Sequence, residues 1–140
     1  MITASSVFSS DDASFYFGDQ EEVGFGARLA TPLSVRHGPG TLRNSGGGVD
    51  EKGTWGRTAD WCAGYAKQSR RLVGLSVMAG PANLRPPWFH SRDYGLIVAN
   101  PFGRKAMTGP KDEAVKPEQT VVEQGDEFEI TFGVYLFACP

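Results

Sequence analysis

Histidine, cysteine and long apolar runs are what this sequence has least of. Its 140 residues include two histidines, His37 and His90, and two cysteines, Cys62 and Cys139. The cysteines lack C-x-x-C spacing, so a zinc centre is not expected, and no metal or cofactor is assigned. One disulfide and two thiols in a reducing compartment are both compatible with them. The longest unbroken apolar stretches, such as "LIVA" at 96–99, fall far short of the roughly 20 residues that a membrane helix needs. "MITASSVFSS" at the start has neither a basic n-region nor an apolar centre, so no signal peptide is expected. These absences predict a soluble chain, cytoplasmic by default, with no membrane partner. Nucleic acid is not an expected partner either, because the basic residues are scattered and no DNA- or RNA-binding motif appears.

What is abundant is glycine and proline, 18 and 9 residues, set among 40% hydrophobic residues. That mixture describes a folded, turn-rich chain rather than a helical bundle or a disordered one. The length predicts a single domain spanning 1–140 with a core of its own. The net charge of −2 conceals three blocks. Residues 1–22 and 106–140 each carry a net −5, and residues 27–105 carry +8. A basic middle attracts an anionic ligand or, more ordinarily, reflects basic and acidic strands that face each other across a sheet.

The strand signals are plain. In "EFEITFGVYLFA", Phe128, Ile130, Phe132, Val134 and Leu136 fall on one face, with Glu127, Glu129, Thr131 and Tyr135 on the other. "QTVVEQ" precedes it as an expected hairpin partner. "RLVGLSVMA", "EVGFGARLA", "SFYF" and "ITASSVF" are further strands. Loops dense in turn residues separate them: "RHGPG", "RNSGGGVDEKG", "MAGPANLRPP", "ANPFGRK" and "MTGPKDEAVKPE". "ADWCAGYAKQSRR" has some helical character, weakened by Gly64. "NSGGGVD" lacks the Lys-Ser/Thr ending of a phosphate loop and is expected to be a flexible loop that opens no helix. The pattern predicts an all-β, antiparallel sandwich, or part of one, with long Gly/Pro-rich loops.

The densest chemistry lies in "WFHSRDYGLIVANPFGRK". If Phe89–Asn100 is one strand, alternation places His90, Arg92 and Tyr94 on one face and Asp93 on the other. "NPFG" then ends it, with Asn100 extended before Pro101. A histidine suits acid–base work near neutral pH, and a planar arginine fork grips carboxylates or hydroxyls. Pairing of Arg92 with an acidic neighbour, and bonds from His90 and Tyr94 to backbone, are the structural alternative.

"FGDQEEVGFGARLA", "LRNSGGGVDEKGTWGRTADW" and "GPANLRPPWFHSRDYGLIVANPFG" together resemble the successive signatures of the PmoA-like family, labelled "methane oxygenase PmoA". The likeness runs from about Ser14 to the C-terminal strand. It implies a β-rich fold resembling the galactose-mutarotase sandwich, a setting in sugar catabolism, and a chain equivalent to the C-terminal half of longer members. The label's copper oxygenase chemistry is not expected, since it needs membrane helices and clustered ligands. Carried over position by position, the resemblance singles out Glu22, Arg28, Asn44, Trp55, Arg57, Trp61, Asn83, Arg85, His90, Arg92, Asp93, Tyr94 and Asn100. Where the family has D-H-P this chain reads Ala79-Gly80-Pro81, so one histidine of the pattern is missing.

The resemblance implies a carbohydrate ligand. Glu22 and His90 are then the candidate acid–base pair, with Arg28, Asn44, Trp55, Arg57, Asn83, Arg92 and Tyr94 as ligand-binding candidates. Trp55, Trp61 and Trp88 offer ring faces for pyranose stacking. Two other readings stand beside this one, a non-catalytic β-sandwich interaction module and a fragment of a larger enzyme. Exposed strand edges in such a sandwich predict a homodimer.

Overall fold

Alternation along the last strand sets the core. Ile130, Phe132 and Val134 are buried, while Tyr135 is 49% exposed on the opposite face. The computed structural model describes residues 1–109 and 111–140. In chain order its strands are β1 (Ile2–Ser9), β2 (Phe15–Phe17), β3 (Phe25–Arg28), β4 (Thr41–Asn44), β5 (Arg57–Thr58) and β6 (Trp61–Gln68). They continue as β7 (Arg71–Ala79), β8 (Trp88–Arg92), β9 (Leu96–Asn100), β10 (Thr120–Val122) and β11 (Glu127–Cys139). Two short helices, α1 (Asp50–Thr54) and α2 (Arg104–Thr108), and a 3-10 turn at Thr31–Leu33 interrupt them.

One sheet runs β1-β11-β7-β6-β4, a second runs β3-β9-β8-β5, and β2 pairs with β10 in a small separate ladder. All pairings are antiparallel. Leu42, Cys62, Val77, Phe132 and Val134 of the first sheet share one core cluster with Phe89, Ile97 and Ala99 of the second. The chain is an antiparallel β-sandwich. Burying side chains such as Leu42, Phe89 and Ile97 completely contributes about 1.5–3 kcal/mol each. The β2–β10 ladder sits beside an aromatic cluster, in which Phe17 stacks on Phe102 with centroids 4.4 Å apart.

Four sequence expectations change. "QTVVEQ" pairs with β2 rather than with β11; β11 is instead flanked by β1 and β7. "ADWCAGYAKQSRR" holds strand β6, because Cys62, Ala63, Gly64 and Ala66 are buried between neighbouring strands, and that packing outweighs weak local helix preference. Phe89–Asn100 is a hairpin and not one strand. Gly95, at φ 103°, turns the chain with Gly95 N–H donating to Arg92 O at 2.8 Å. "NSGGGVD" leads directly into α1. The loop expected at 107–118 includes Pro110, which lies outside the described residues.

Both cysteines are free: Cys62 is buried in the core and Cys139 is exposed. Burial pushes the Cys62 thiol up to about 12, so it behaves as a small apolar side chain. No helix among the described residues is long and apolar enough to cross a membrane. No group of three or more His, Cys, Asp or Glu able to hold a metal occurs among them.

Candidate functional site

Strand β8 carries Phe89 and Ser91 inward, so His90 and Arg92 point to the outer face of the four-stranded sheet. His90 is nevertheless only 1% exposed. Arg92 Nε donates to His90 Nε2 at 3.2 Å. The two ends of the guanidinium then reach two carboxylates, Glu21 Oε1 at 2.6 Å and Glu51 Oε1 at 2.9 Å. Its Cζ lies 5.5 Å over the ring centroid of Trp55. His90 Nδ1 is 3.4 Å from Glu21 Oε1 but has no hydrogen-bonded partner, and neither has the buried Nε1 of Trp55.

Each member is positioned by a neighbouring element. Asn100, buried at the end of β9, donates from Nδ2 to Gln20 O at 2.7 Å and Glu21 O at 3.0 Å. It thereby pins the acidic loop onto the sheet. Its Oδ1 accepts from Phe102 N–H at 2.8 Å, the turn that "NPFG" predicts. Glu51 lies in α1 and exchanges bonds with the hairpin turn. Its Oε2 accepts from Asp93 N–H, and its own N–H donates to Asp93 Oδ1, at 2.9 and 2.8 Å. Trp55 closes α1 by donating N–H to Glu51 O at 2.9 Å. Gly56 follows with φ 67°, where an added Cβ would lie 2.2 Å from Met107 O. Only glycine meets both demands, and its N–H donates to Phe89 O to launch β5 beside β8.

The electrostatics follow from this arrangement. Burial pushes His90 below its ordinary value, and the Arg92 charge adds to that; Glu21, Glu22 and Glu51 pull the other way without reversing it. Burial works to raise Glu51. The Asp93 N–H bond, the Arg92 bond and the charges of Arg92 and Arg36 outweigh it and hold the carboxyl below its ordinary range. The acidic ends and basic middle of the sequence do meet as ion pairs, through acidic side chains on loops rather than strand to strand across a sheet, here and again where Arg85 reaches Glu118 at 2.5 Å.

The sequence candidates separate into several places. His90, Arg92 and Trp55 come together, and Glu22, which is exposed, lies near enough for its charge to act on His90. The direct acidic contact is Glu21, one residue earlier. Arg28 lies elsewhere, 5.0 Å over the ring of Tyr94, with Arg36 at 5.9 Å from the same ring. Asn44 and Arg57 line a cavity at the glycine-rich loop. Asn83 grips β11, donating to Thr131 O at 2.7 Å and accepting from Thr131 N–H at 2.9 Å. Trp61 faces outward from the other sheet, 38% exposed, and is not grouped with Trp55. Glu21 and Glu51 had no distinguishing sequence signal, because both lie outside strands, where alternation says nothing about direction.

A family model described as "Family of unknown function (DUF6807)" matches residues 1–138. The chain belongs to that family. Comparison with curated proteins and with solved structures finds no match. For this DUF6807 chain, function rests on what the residues around His90 and at the glycine-rich loop can do chemically.

Proposed function

We propose that the outer face of the four-stranded sheet binds a neutral carbohydrate at the Glu21–Arg92–Glu51 group, with Trp55 and His90 beside it. The observation that carries this reading is the Arg92 guanidinium, held by two carboxylates with its Cζ 5.5 Å over the Trp55 ring centroid. Planar charged groups with spare lone pairs and N–H donors suit the paired hydroxyls of a sugar. Glu21, Glu22 and Glu51 outnumber the two guanidinium charges that act there, Arg92 and Arg36, and a neutral His90 does not redress it. An anionic sugar is therefore disfavoured there. Kinship with the PmoA-like family is part of the same proposal, supported by the order of its motifs along the chain.

Isothermal titration of neutral mono- and disaccharides against uronic acids tests the reading. Heat with neutral sugars, lost in Arg92→Lys and Glu21→Gln chains that keep the wild-type circular dichroism spectrum, supports it. Absence of heat with every sugar sinks it and leaves the cluster as a brace for the strand end.

A second reading, an acid–base step on that sugar, is favoured by His90 Nδ1, which is buried, unbonded and 3.4 Å from Glu21 Oε1. With Nε2 accepting from Arg92, the proton sits on Nδ1, where it can hydrogen-bond to and polarise an adjacent sugar oxygen while the Glu21 carboxylate takes up the hydroxyl proton. Polarimetry of mutarotation with wild type and His90→Gln distinguishes turnover from binding alone.

A further inference from the structure

We propose that the cavity between the glycine-rich loop and β5 binds an oxyanion, a phosphate, sulfate or carboxylate group, at a site separate from His90. It lies where β4 of one sheet and β5 of the other approach, and encloses about 340 Å³. Asn44, Arg57, Thr58 and the loop glycines line it. Asn44 is 5% exposed, and its Oδ1 accepts from Gly48 N–H at 2.8 Å. That bond fixes the amide's orientation, because a backbone N–H requires an acceptor. The other end, Nδ2, makes no hydrogen bond among the described residues and is open to solvent, so the largely buried side chain presents an unused donor to the cavity.

The remaining polar side chains point to the same chemistry. Arg57 is exposed and makes no ion pair among the described residues. The Thr58 hydroxyl makes no hydrogen bond among them. No lining residue is acidic. A Cβ on Gly48 would lie 2.2 Å from Gly53 O, and Gly47, though it faces open space, sits at φ 82°, which disfavours any side chain. Amide, guanidinium and hydroxyl donors with no opposing carboxylate select an anion. This is the reverse of the balance around His90, so the oxyanion site stands or falls independently of the sugar reading.

Isothermal titration of the full chain with sodium phosphate, sulfate and acetate at low ionic strength tests it, using wild type, Arg57→Gln and Asn44→Asp. Asn44→Asp keeps the acceptor that Gly48 needs and replaces the donor with a negative charge. Saturable binding is expected in wild type, about tenfold weaker in Arg57→Gln and unmeasurable in Asn44→Asp. Phosphate and sulfate binding without acetate assigns a tetrahedral group; acetate alone assigns a carboxylate. No binding of any of the three to wild type, or binding to Arg57→Gln equal to wild type, overturns the proposal. Arg57 lies on an exposed edge, so its variant decides even if Asn44→Asp fails to fold.

Discussion

Arg92 Nε donates to His90 Nε2 at 3.2 Å, which assigns the imidazole its tautomer: Nε2 is the acceptor and Nδ1 carries the proton. A protonated imidazole has no lone pair to accept that bond, so acid breaks it. The folded-state value of His90 lies below its ordinary 6.5, so near and below that pH the unfolded chain binds more protons than the folded one. Stability from this group is therefore present above pH 6.5 and lost as pH falls through the lower, folded-state value. Melting temperature is expected to drop between pH 7 and 5, and to drop less in His90→Gln. Parallel pH profiles for the two chains contradict the assignment. Glu51 acts in a later window, with stability lost only as pH falls below its ordinary 4.5.

Removing the arginine tests the same cluster from the other side. Arg92→Met leaves Glu21 and Glu51, both partly buried, without their shared cation. The expected cost is about 1–3 kcal/mol, a fall in melting temperature of roughly 3–10 °C for a domain of this size. Glu51→Gln also weakens the hold of α1 on the Asp93 turn, and the double variant is expected to cost less than the sum of the two singles, since they share a partner. Additive losses in chemical denaturation contradict a shared network.

Much of the fold was legible because burial on one face writes a period of two into a strand. "EFEITFGVYLFA" and "RLVGLSVMA" became adjacent strands of one sheet for that reason. What periodicity does not carry is which strands neighbour one another, so "QTVVEQ" reads as a partner of the strand nearest in sequence although it pairs with β2. Periodicity also ran straight through Asp93-Tyr94-Gly95, where a single positive-φ glycine folds the apolar stretch back on itself. His90 and Arg92 survived that error because both precede the turn, whereas Tyr94 did not. Glu21 and Glu51 were beyond reach, since their positions depend on Asn100 and on the Asp93 exchange, contacts between residues 79 and 42 apart in sequence.

Asn83 shows how a motif residue serves structure. Both ends of its amide bond the Thr131 backbone, joining the proline-rich loop to β11. Asn83→Ala is expected to cost about 1–3 kcal/mol by leaving a strand N–H and C=O without partners. Asn83→Asp is expected to cost at least as much, because its carboxylate faces the Thr131 carbonyl with no proton to give. Neither variant should alter any ligand affinity measured below its melting temperature. A selective loss of binding in Asn83→Ala would make it a ligand contact.

Gly56 is a sharper test of how Trp55 and β5 are placed. Gly56→Ala meets two penalties, a side chain at φ 67° and a Cβ 2.2 Å from Met107 O. Destabilisation is expected to exceed the ordinary glycine-to-alanine effect, reaching about 2 kcal/mol or more. Tryptophan fluorescence, to which Trp55 contributes beside Trp61 and Trp88, should shift with it as the backbone next to Trp55 is displaced. A variant as stable as wild type would mean that α2 moves aside freely.

The remaining expectation concerns assembly. β1 pairs with β11 on one side and with no strand on the other among the described residues. Its eight residues, "ITASSVFS", include no charge and no proline, the devices that usually protect an edge. We propose that two copies pair across this edge, extending the five-stranded sheet. Light scattering of the 15.1 kDa chain should then give the mass of a dimer, and Val7→Lys, at a position 56% exposed on that edge, should give a monomer with the same fold. A wild-type chain that stays monomeric across micromolar concentrations removes the edge as an interface, and a Val7→Lys chain that remains dimeric moves the contact to another surface.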